Sequence, residues 1–285
     1  MNTIKRVCCL FLLMMLPFLP SCSTTYVYDN LDWLVHWYVD DYVTLTPTQK
    51  QDFDRRFSQL QQWHKNSELQ EYQLWLESIR DQLMNKELSR HDILVSVRSH
   101  RMKSLTFWQR LVSEAEPHLL QLLDQLSDQQ QQELTENIRK QLLKRYDRRE
   151  ALGRKGWERD KVARMEKGLK PWVGKLGREQ KKLLMNWAVE LHNLDQQNRE
   201  FRLDWLARLT ELRALPLSQR RGKFAMLVVN PDHFRTTDHL QKLDENRELT
   251  DRVIAEVIAL LSQRQNKMAL AEIEQWLQRI KSTRS

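Results

Sequence analysis

Apolar residues recur at steps of three and four along much of the chain, which is the spacing of one face of a helix. One such stripe consists of Leu69, Tyr72, Leu76, Ile79 and Leu83. A second stripe with the same spacing consists of Leu134, Ile138, Leu142 and Tyr146. No run of alternating β-branched residues is long enough to predict a sheet. The pattern therefore predicts an all-α fold of long antiparallel helices.

Several predicted helix starts share one sequence pattern. The segments LTPTQ at 45–49, LSDQQ at 126–130 and LGREQ at 176–180 each place a leucine before a capping position and a glutamine three residues after it. A threonine or serine at the cap and a glutamine three residues later form a capping box. The segment LTDRV at 249–253 keeps the threonine but lacks the glutamine, so we read it as a weaker fourth start.

A tryptophan motif follows three of these four starts. The pattern W-L-x-x-[I/L] begins at Trp75, Trp205 and Trp276, which lie 27 to 30 residues after the leucines of the respective starts. One cap and one tryptophan at a period near 30 indicate repeated helical hairpins. Chance recurrence in a chain rich in Leu and Gln is the alternative interpretation.

Proline and glycine mark two interruptions of the helical pattern. Pro117 is expected to end or kink the helix that contains it. Five of the six glycines lie between residues 153 and 177, which indicates a hinge. The predicted organisation is therefore an N-terminal helical region at 22–152, a glycine-containing hinge at 153–177 and a C-terminal helical region at 178–285.

The N-terminus has the three parts of a secretory signal. Two cations, Lys5 and Arg6, precede an apolar run that is too short to span a bilayer, and small residues follow at 21–23. All three cysteines, Cys8, Cys9 and Cys22, lie in the first 22 residues. The remaining chain therefore cannot form a disulfide framework, a zinc–thiolate site or a cysteine nucleophile.

The sequence LPSC at 19–22 resembles the lipobox of bacterial lipoproteins. This resemblance implies that residues 1–21 are a signal peptide and that Cys22 is acylated. Because Ser23 stands where inner-membrane retention would require an aspartate, the resemblance places the protein at the periplasmic side of the outer membrane. The alternatives are an ordinary signal peptide with an incidental cysteine, or an uncleaved anchor.

Two groups of acids and histidines could carry chemistry. Asp32, His36 and Asp40 lie four residues apart, on one side of a predicted helix, where they could act as a general base or metal ligands. The alternative is a structural role: Asp32 is favourable near the positive end of the helix dipole, and His36 packs against neighbouring side chains. The second group consists of Asp232, His233, Asp238 and His239, but helix starts explain these residues equally well and no HExxH spacing is present. We therefore predict no enzyme activity, metal or cofactor.

Positive charge is concentrated in one segment. Residues 139–170 contain thirteen Lys or Arg against five Asp or Glu. The candidate anion-binding residues are Arg139, Lys140, Lys144, Arg145, Arg148, Arg149, Arg154 and Lys155. Export argues against nucleic acid as a ligand, and anionic lipids or cell-wall polymers are the expected partners. The alternative is a solvated helix face whose cations pair with acids such as Asp147 and Glu150.

The segment YDNLDWLVHWYVDDYVTLTPTQ at 28–49, with the lipobox-like site, resembles a family of Gram-negative lipoproteins of unknown function. This resemblance implies an all-helical envelope protein and assigns no activity. The L-T-x-x-Q starts are also similar to those of small periplasmic chaperones of the Spy and CpxP type. We therefore predict a non-enzymatic binding or scaffold module with an envelope protein partner, and a periplasmic chaperone or stress factor as the alternative.

Overall fold

The computed structural model describes residues 28, 31–85 and 87–284, with the backbone alone for residues 32–34. The predicted signal peptide and Cys22 lie outside these residues. The α-helices, in chain order, are α1 (Leu31–Val39), α2 (Pro47–Trp63), α3 (Leu69–Met84), α4 (Arg90–Asp124), α5 (Asp128–Glu150), α6 (Gly153–Val173), α7 (Arg178–Glu190), α8 (Asp195–Glu211), α9 (Leu217–Val229), α10 (Thr237–Ala259) and α11 (Gln263–Arg284). A π-helix, His64–Glu68, joins α2 to α3, and 3₁₀ turns lie at Leu212–Ala214 and Pro231–Phe234. No strand occurs in the part of the chain that is described, so the predicted all-α class is confirmed.

The longest hairpin pairs α2, the π-helix and α3 with α4. The side chain of Gln49, near the start of α2, donates to the Gln125 carbonyl just after α4, at 2.9 Å. At the other end, Gln82 of α3 accepts a hydrogen bond from His100 of α4 at 2.8 Å. These contacts make the two arms antiparallel. On its other sides, α4 packs against α9 and α10.

Two of the predicted helix starts are complete capping boxes. Thr46 caps α2 with Gln49 reaching back, and Ser127 caps α5 with Gln130 reaching back. At the third start, Gly177 has no capping side chain, and only Gln180 bonds back, to the Gly177 amide at 2.9 Å. The predicted fourth start was wrong, because residues 249–253 lie inside α10.

A further capping box, absent from the predicted starts, lies in LSQRQ at 261–265. Ser262 accepts from the Gln265 amide at 3.2 Å, and the Gln265 side chain accepts from the Ser262 amide at 3.1 Å. This places the start of α11 twelve residues after the predicted start.

The four glutamines of these starts meet in two pairs, which we name glutamine clasps. In the first clasp, Gln49 and Gln130 donate to each other at 3.0 and 2.7 Å. In the second, Gln180 and Gln265 do the same at 3.3 and 3.0 Å. Each glutamine also donates to a backbone carbonyl two residues before the partner's cap, namely Gln125, Thr44, Leu260 or Lys175. The clasps thus join distant helix starts in pairs.

In each tryptophan motif, the leucine that follows the tryptophan is buried in the core. Leu76 of α3 belongs to the same cluster as Leu277 and Ile280 of α11, so the first and third motifs pack against each other. Leu206 of α8, from the second motif, belongs to a separate cluster with Leu120 and Phe224. A third cluster surrounds Leu184 and Trp187 and joins α6, α7, α10 and α11. Burial of these side chains is the main stabilising term of the fold.

The glycine-containing segment at 153–177 is largely helical, since α6 covers residues 153–173. Positive φ angles occur at Gly153 and Gly174, so the backbone turns at both ends of α6. Gly174 has a φ of 68°, which side-chain-bearing residues rarely adopt and which explains the glycine there; an added Cβ would also lie 2.9 Å from the Met268 Cε atom. The division of the chain into two regions about this segment stays a prediction.

Pro117 does not end its helix, contrary to the first alternative predicted for it. α4 continues from Pro117 to Asp124. Proline removes one backbone hydrogen bond and costs about 3 kcal/mol in a helix interior. Leu111 and Leu120 are buried on either side of the proline, and their burial offsets this cost. Among the described residues, no helix is both long and apolar enough to cross a membrane.

Candidate functional site: a basic surface on two helices

The predicted row of Asp32, His36 and Asp40 has separate partners where its side chains are described. His36 Nε2 contacts Asp54 of α2, and the His36 ring lies 5.2 Å from the Phe53 ring. Asp40 lies beyond the end of α1 and pairs with Lys50 at 3.1 Å. The side chain of Asp32 is outside the description. These contacts fix α1 to α2.

The second predicted group also takes part in structural contacts. Asp232 accepts from Arg235 at 2.7 Å, and Asp238 pairs with Lys242 at 2.8 Å. His239 is buried beside Arg235, whose guanidinium lies 3.8 Å from the Phe201 ring centre. Burial lowers the pKa of His239, and the charge of Arg235 lowers it further. No group of three potential metal ligands is found among the described residues.

The basic segment has a different character. Of its thirteen cations, Arg149, Arg154 and Arg164 make ion pairs, with Asp195, Glu158 and Asp160. The other ten have no ion pair with any residue that the structure describes. We name these ten the basic surface: Arg139, Lys140, Lys144, Arg145, Arg148, Lys155, Arg159, Lys161, Lys167 and Lys170.

The acids of this segment do not neutralise the basic surface. Asp147 and Glu150 of α5 both face Arg199 of α8, at 3.4 and 3.6 Å. They are therefore used in the α5–α8 contact rather than by neighbouring cations. The internal ion pairs of the alternative interpretation occur at Arg154 and Arg164, which pair with Glu158 and Asp160, and not at these ten residues.

Three members of the basic surface form a straight exposed row on α5. Lys140, Lys144 and Arg148 are spaced four residues apart, so they lie on the same side of the helix, and all three are exposed. Like charges at this spacing repel each other by a few tenths of a kcal/mol per pair. An external anion would relieve that repulsion.

Two of the predicted anion-binding residues have structural contacts instead. Arg149 donates to Asp195 at 2.9 Å and connects α5 to the start of α8. Arg154 donates to the backbone carbonyls of Leu191 and Val189 at 3.1 and 2.5 Å, and its guanidinium lies 4.9 Å from the Trp157 ring centre. These two arginines hold helices together, which a count of charges along the sequence cannot reveal.

Three arginines lie near Tyr146, which is buried at the inner side of α5. Burial raises the pKa of Tyr146, and Arg202 of α8, Arg149 and Arg145 lie close enough to oppose that rise. The buried Nε atom of Arg145 has no hydrogen-bond partner among the described residues. Arg202 was not among the predicted residues, since α8 is distant from α5 in the chain.

Lys161 of α6 was also missed as a candidate. Its ammonium lies 4.9 Å from the Trp157 ring centre. Burial lowers the pKa of Lys161, and the charge of Arg149 lowers it further. Tyr146 and Trp157 lie between the cations in the sequence, and large aromatic residues at these positions indicate that this part of the segment is partly buried.

No curated protein and no solved structure matches this chain. A family described as a family of unknown function, DUF6279, matches residues 41–240. That match contains both helices of the basic surface and the first glutamine clasp. It includes only the end of the N-terminal signature at 28–49, and Cys22 lies outside it. Because the match extends over more than half of the chain, this protein belongs to the DUF6279 family of unknown function.

Proposed function

We propose that this protein is a non-enzymatic helical binding module, held at the periplasmic face of the outer membrane by acylation of Cys22. Its basic surface binds phosphate-bearing lipids or cell-wall polymers. The observation that carries this proposal is the set of ten cations on α5 and α6 without an internal ion pair among the described residues, of which all but Arg145 and Lys161 are exposed. A local excess of unpaired charge attracts ligands of the opposite sign.

The energetics of such binding are favourable for a tethered protein. Each Lys or Arg close to an anionic membrane contributes about 1 kcal/mol, and the contribution falls off within a Debye length. A lipid anchor adds affinity without further contacts because it raises the local concentration of the protein at the membrane. Several weak charge contacts are therefore sufficient for a stable orientation.

The absence of catalytic activity is part of the proposal. The sequence candidates for acid–base chemistry with described side chains are bound in pairs, such as His36 with Asp54 and Asp238 with Lys242. A catalytic acid or base needs access to a substrate and further polar groups around it. The contacts of these side chains support a structural role instead.

The test uses the mature chain with Cys22→Ser, mixed with vesicles of phosphatidylglycerol or of phosphatidylcholine. We expect sedimentation with the anionic vesicles alone. The triple variant Lys140→Gln, Lys144→Gln, Arg148→Gln should bind at least about tenfold more weakly, because it loses three surface charges.

The matched control removes three cations from α11, Arg264, Lys267 and Lys281, which are exposed and have no ion pair among the described residues. It has the same net charge as the triple variant and should bind nearly as well as the parent chain. Equal loss in both variants would show that only net charge matters. That result would contradict the assignment of binding to the basic surface.

A specific observation also supports the chaperone alternative. On α4, several large apolar side chains are exposed: Met102 at 55%, Leu119 at 44% and Trp108 at 37%. Exposed apolar side chains that include methionine can bind unfolded segments of varied sequence. Suppressed aggregation of a denatured substrate, lost in Met102→Ser with Trp108→Ser, would support this second function.

A further inference from the structure

The π-helix between α2 and α3 is the most irregular part of the long hairpin. Its closing bond runs from the Leu69 amide to the His64 carbonyl, five residues back. π-helical turns are rare and occur frequently at functional sites. This turn carries Glu68 into the interior, where the side chain is only 1% exposed.

Only one of the two carboxylate oxygens of Glu68 has a hydrogen-bond partner among the described residues. Arg110 of α4 donates to Glu68 Oε1 from Nε at 2.9 Å and from Nη2 at 2.6 Å. Glu68 Oε2 is buried and has no hydrogen-bond partner among the described residues. A buried carboxylate oxygen without a partner is costly, so its presence in a folded protein requires an explanation.

Glu68 lies at a groove of about 500 Å³ between the end of α2, the π-helix and α4. Three charged residues line this groove: Glu68, Arg110 and Glu114. The charges of Glu68 and Arg110 cancel, whereas Glu114 has no ion pair with any described residue. The groove therefore has an excess of one negative charge.

Hydrogen-bond acceptors also exceed free donors in the groove. Arg110 directs two of its N–H groups, on Nε and Nη2, at Glu68 Oε1, and its Nη1 lies 4.0 Å from the Glu71 carboxylate. Ser67, Gln109 and Ser113 line the groove and have no side-chain partner in the described part of the chain. Together with the Glu114 carboxylate, they offer several oxygen acceptors.

Trp63, the last residue of α2, also lines the groove. Tryptophan is the side chain whose ring binds cations best. An ammonium group has three hydrogen-bond donors, no acceptor and a positive charge, so it complements the oxygens, the excess charge and the indole together. An anion would face the two carboxylates of Glu68 and Glu114 against the single cation Arg110, and a neutral polyol would leave the charge of Glu114 uncompensated.

We propose that this groove binds a small primary amine, with its ammonium group between Glu114 and Trp63, above the buried carboxylate of Glu68. The ligand class is opposite in charge to that of the basic surface, and the groove lies on other helices. The amine could be free or could belong to the ethanolamine headgroup of a lipid, because both present the same ammonium chemistry.

Calorimetric titration of the full chain tests the proposal. The probes are butane-1,4-diamine, its neutral analogue butane-1,4-diol, and glycerophosphoethanolamine, a lipid headgroup without acyl chains. We expect binding of at least one amine and none of the diol. The tighter of the two amines identifies the source: the diamine indicates a free amine, and glycerophosphoethanolamine indicates a lipid headgroup.

Two variants connect binding to the groove. Glu114→Gln is at a partly exposed position and should fold normally, yet it should weaken amine binding at least about tenfold through the loss of one close charge. Trp63→Leu should also weaken binding, since it removes the aromatic ring. The matched control is Glu190→Gln on α7, an exposed glutamate without an ion pair among the described residues, which should bind like the parent chain.

Equal binding of the diol and the diamine would overturn the proposal, as would unchanged amine binding in Glu114→Gln or the absence of binding to both amines. The triple variant of α5 should keep its affinity for the amine. The amine site and the basic surface can therefore fail independently of each other.

Discussion

Two regions of this molecule use charged residues in opposite ways. Where α4 packs against α10, Arg90, Arg98 and Arg101 of α4 each contact an acid of α10, and we name this contact the α4–α10 seam. The acids are Glu256, Glu248 and Asp251. On the basic surface of α5 and α6, in contrast, ten cations have no such partner among the described residues.

The difference separates charge that holds the fold from charge that remains for a ligand. A buried pair adds little net stability, but removal of one partner leaves an uncompensated buried charge. Exposed unpaired cations cost little and contribute little to folding. Removal of a cation should therefore destabilise the fold strongly at the buried pair of the seam and hardly at all on the basic surface.

The largest expected effect is at the centre of the seam. Arg101 Nε donates to both carboxylate oxygens of Asp251, at 3.0 and 2.8 Å, and Asp251 is 2% exposed. Arg101→Ala should lower the free energy of unfolding by about 3–5 kcal/mol, because it leaves a buried carboxylate without its cation. Urea denaturation measures this change. The control, Arg148→Ala on the basic surface, should lie within about 0.5 kcal/mol of the parent.

The next effect concerns the dependence of folding stability on acid pH. His64 of the π-helix accepts from or donates to the Tyr28 hydroxyl at 2.9 Å and lies edge-on to Tyr72. Burial lowers the pKa of His64 to about 4, below its ordinary value of 6.5. Because the folded pKa is the lower one, the unfolded chain takes up the proton first. Stability should therefore be present above about pH 6.5 and fall as the pH decreases towards about 4.

A shift of this size corresponds to about 3 kcal/mol. His64→Gln cannot be protonated, so its free energy of unfolding should decline less over this interval in urea titrations at several pH values. His91→Gln, at an exposed position, should keep the steeper dependence of the parent. An identical decline in the His64 variant would contradict the role of this histidine.

A third prediction separates Arg154 from its neighbours in the basic segment. Because Arg154 donates to two backbone carbonyls at the end of α7, Arg154→Gln should lower the free energy of unfolding by about 1–2 kcal/mol. Its effect on binding to anionic vesicles should be smaller than that of Arg148→Gln. A destabilised chain with equal loss of vesicle binding would place Arg154 in the binding surface after all.

The smallest effect on folding is expected for the triple variant of Lys140, Lys144 and Arg148. Its free energy of unfolding should remain within about 0.5 kcal/mol of the parent, with a slight increase because repulsion along α5 is relieved. Thermal unfolding followed by circular dichroism checks this value. A large loss of stability would show that these cations have structural partners.

The helical class and two capping boxes could be predicted because they depend on residues close in sequence. A cap needs only a Ser or Thr and the glutamine three residues later, as at Thr46 and Ser127. The same local rule failed at Thr250. Its hydroxyl donates to the Asn246 carbonyl and accepts from the Trp187 indole, so it supports the middle of α10 rather than a start.

Features that depend on distant residues could not be predicted. The glutamine clasps join positions about 80 residues apart, and no local pattern distinguishes a paired capping glutamine from an unpaired one. The different roles of Arg154 and Lys155 could not be predicted for the same reason. Arg154 is structural because backbone carbonyls from a distant part of the chain lie beside it in the folded protein. The interior position of Glu68 depends on an inserted π-helical turn, which residue spacing does not indicate.

The direct test of the basic surface is the salt dependence of binding between the mature Cys22→Ser chain and phosphatidylglycerol vesicles. Screening lengths shorten from about 14 Å at about 0.05 M salt to about 4 Å at about 0.5 M. We predict that the affinity falls steeply over this interval, and that the triple variant of α5 shows a clearly shallower decline. An affinity that is independent of salt, or an identical decline in the triple variant, would contradict the account.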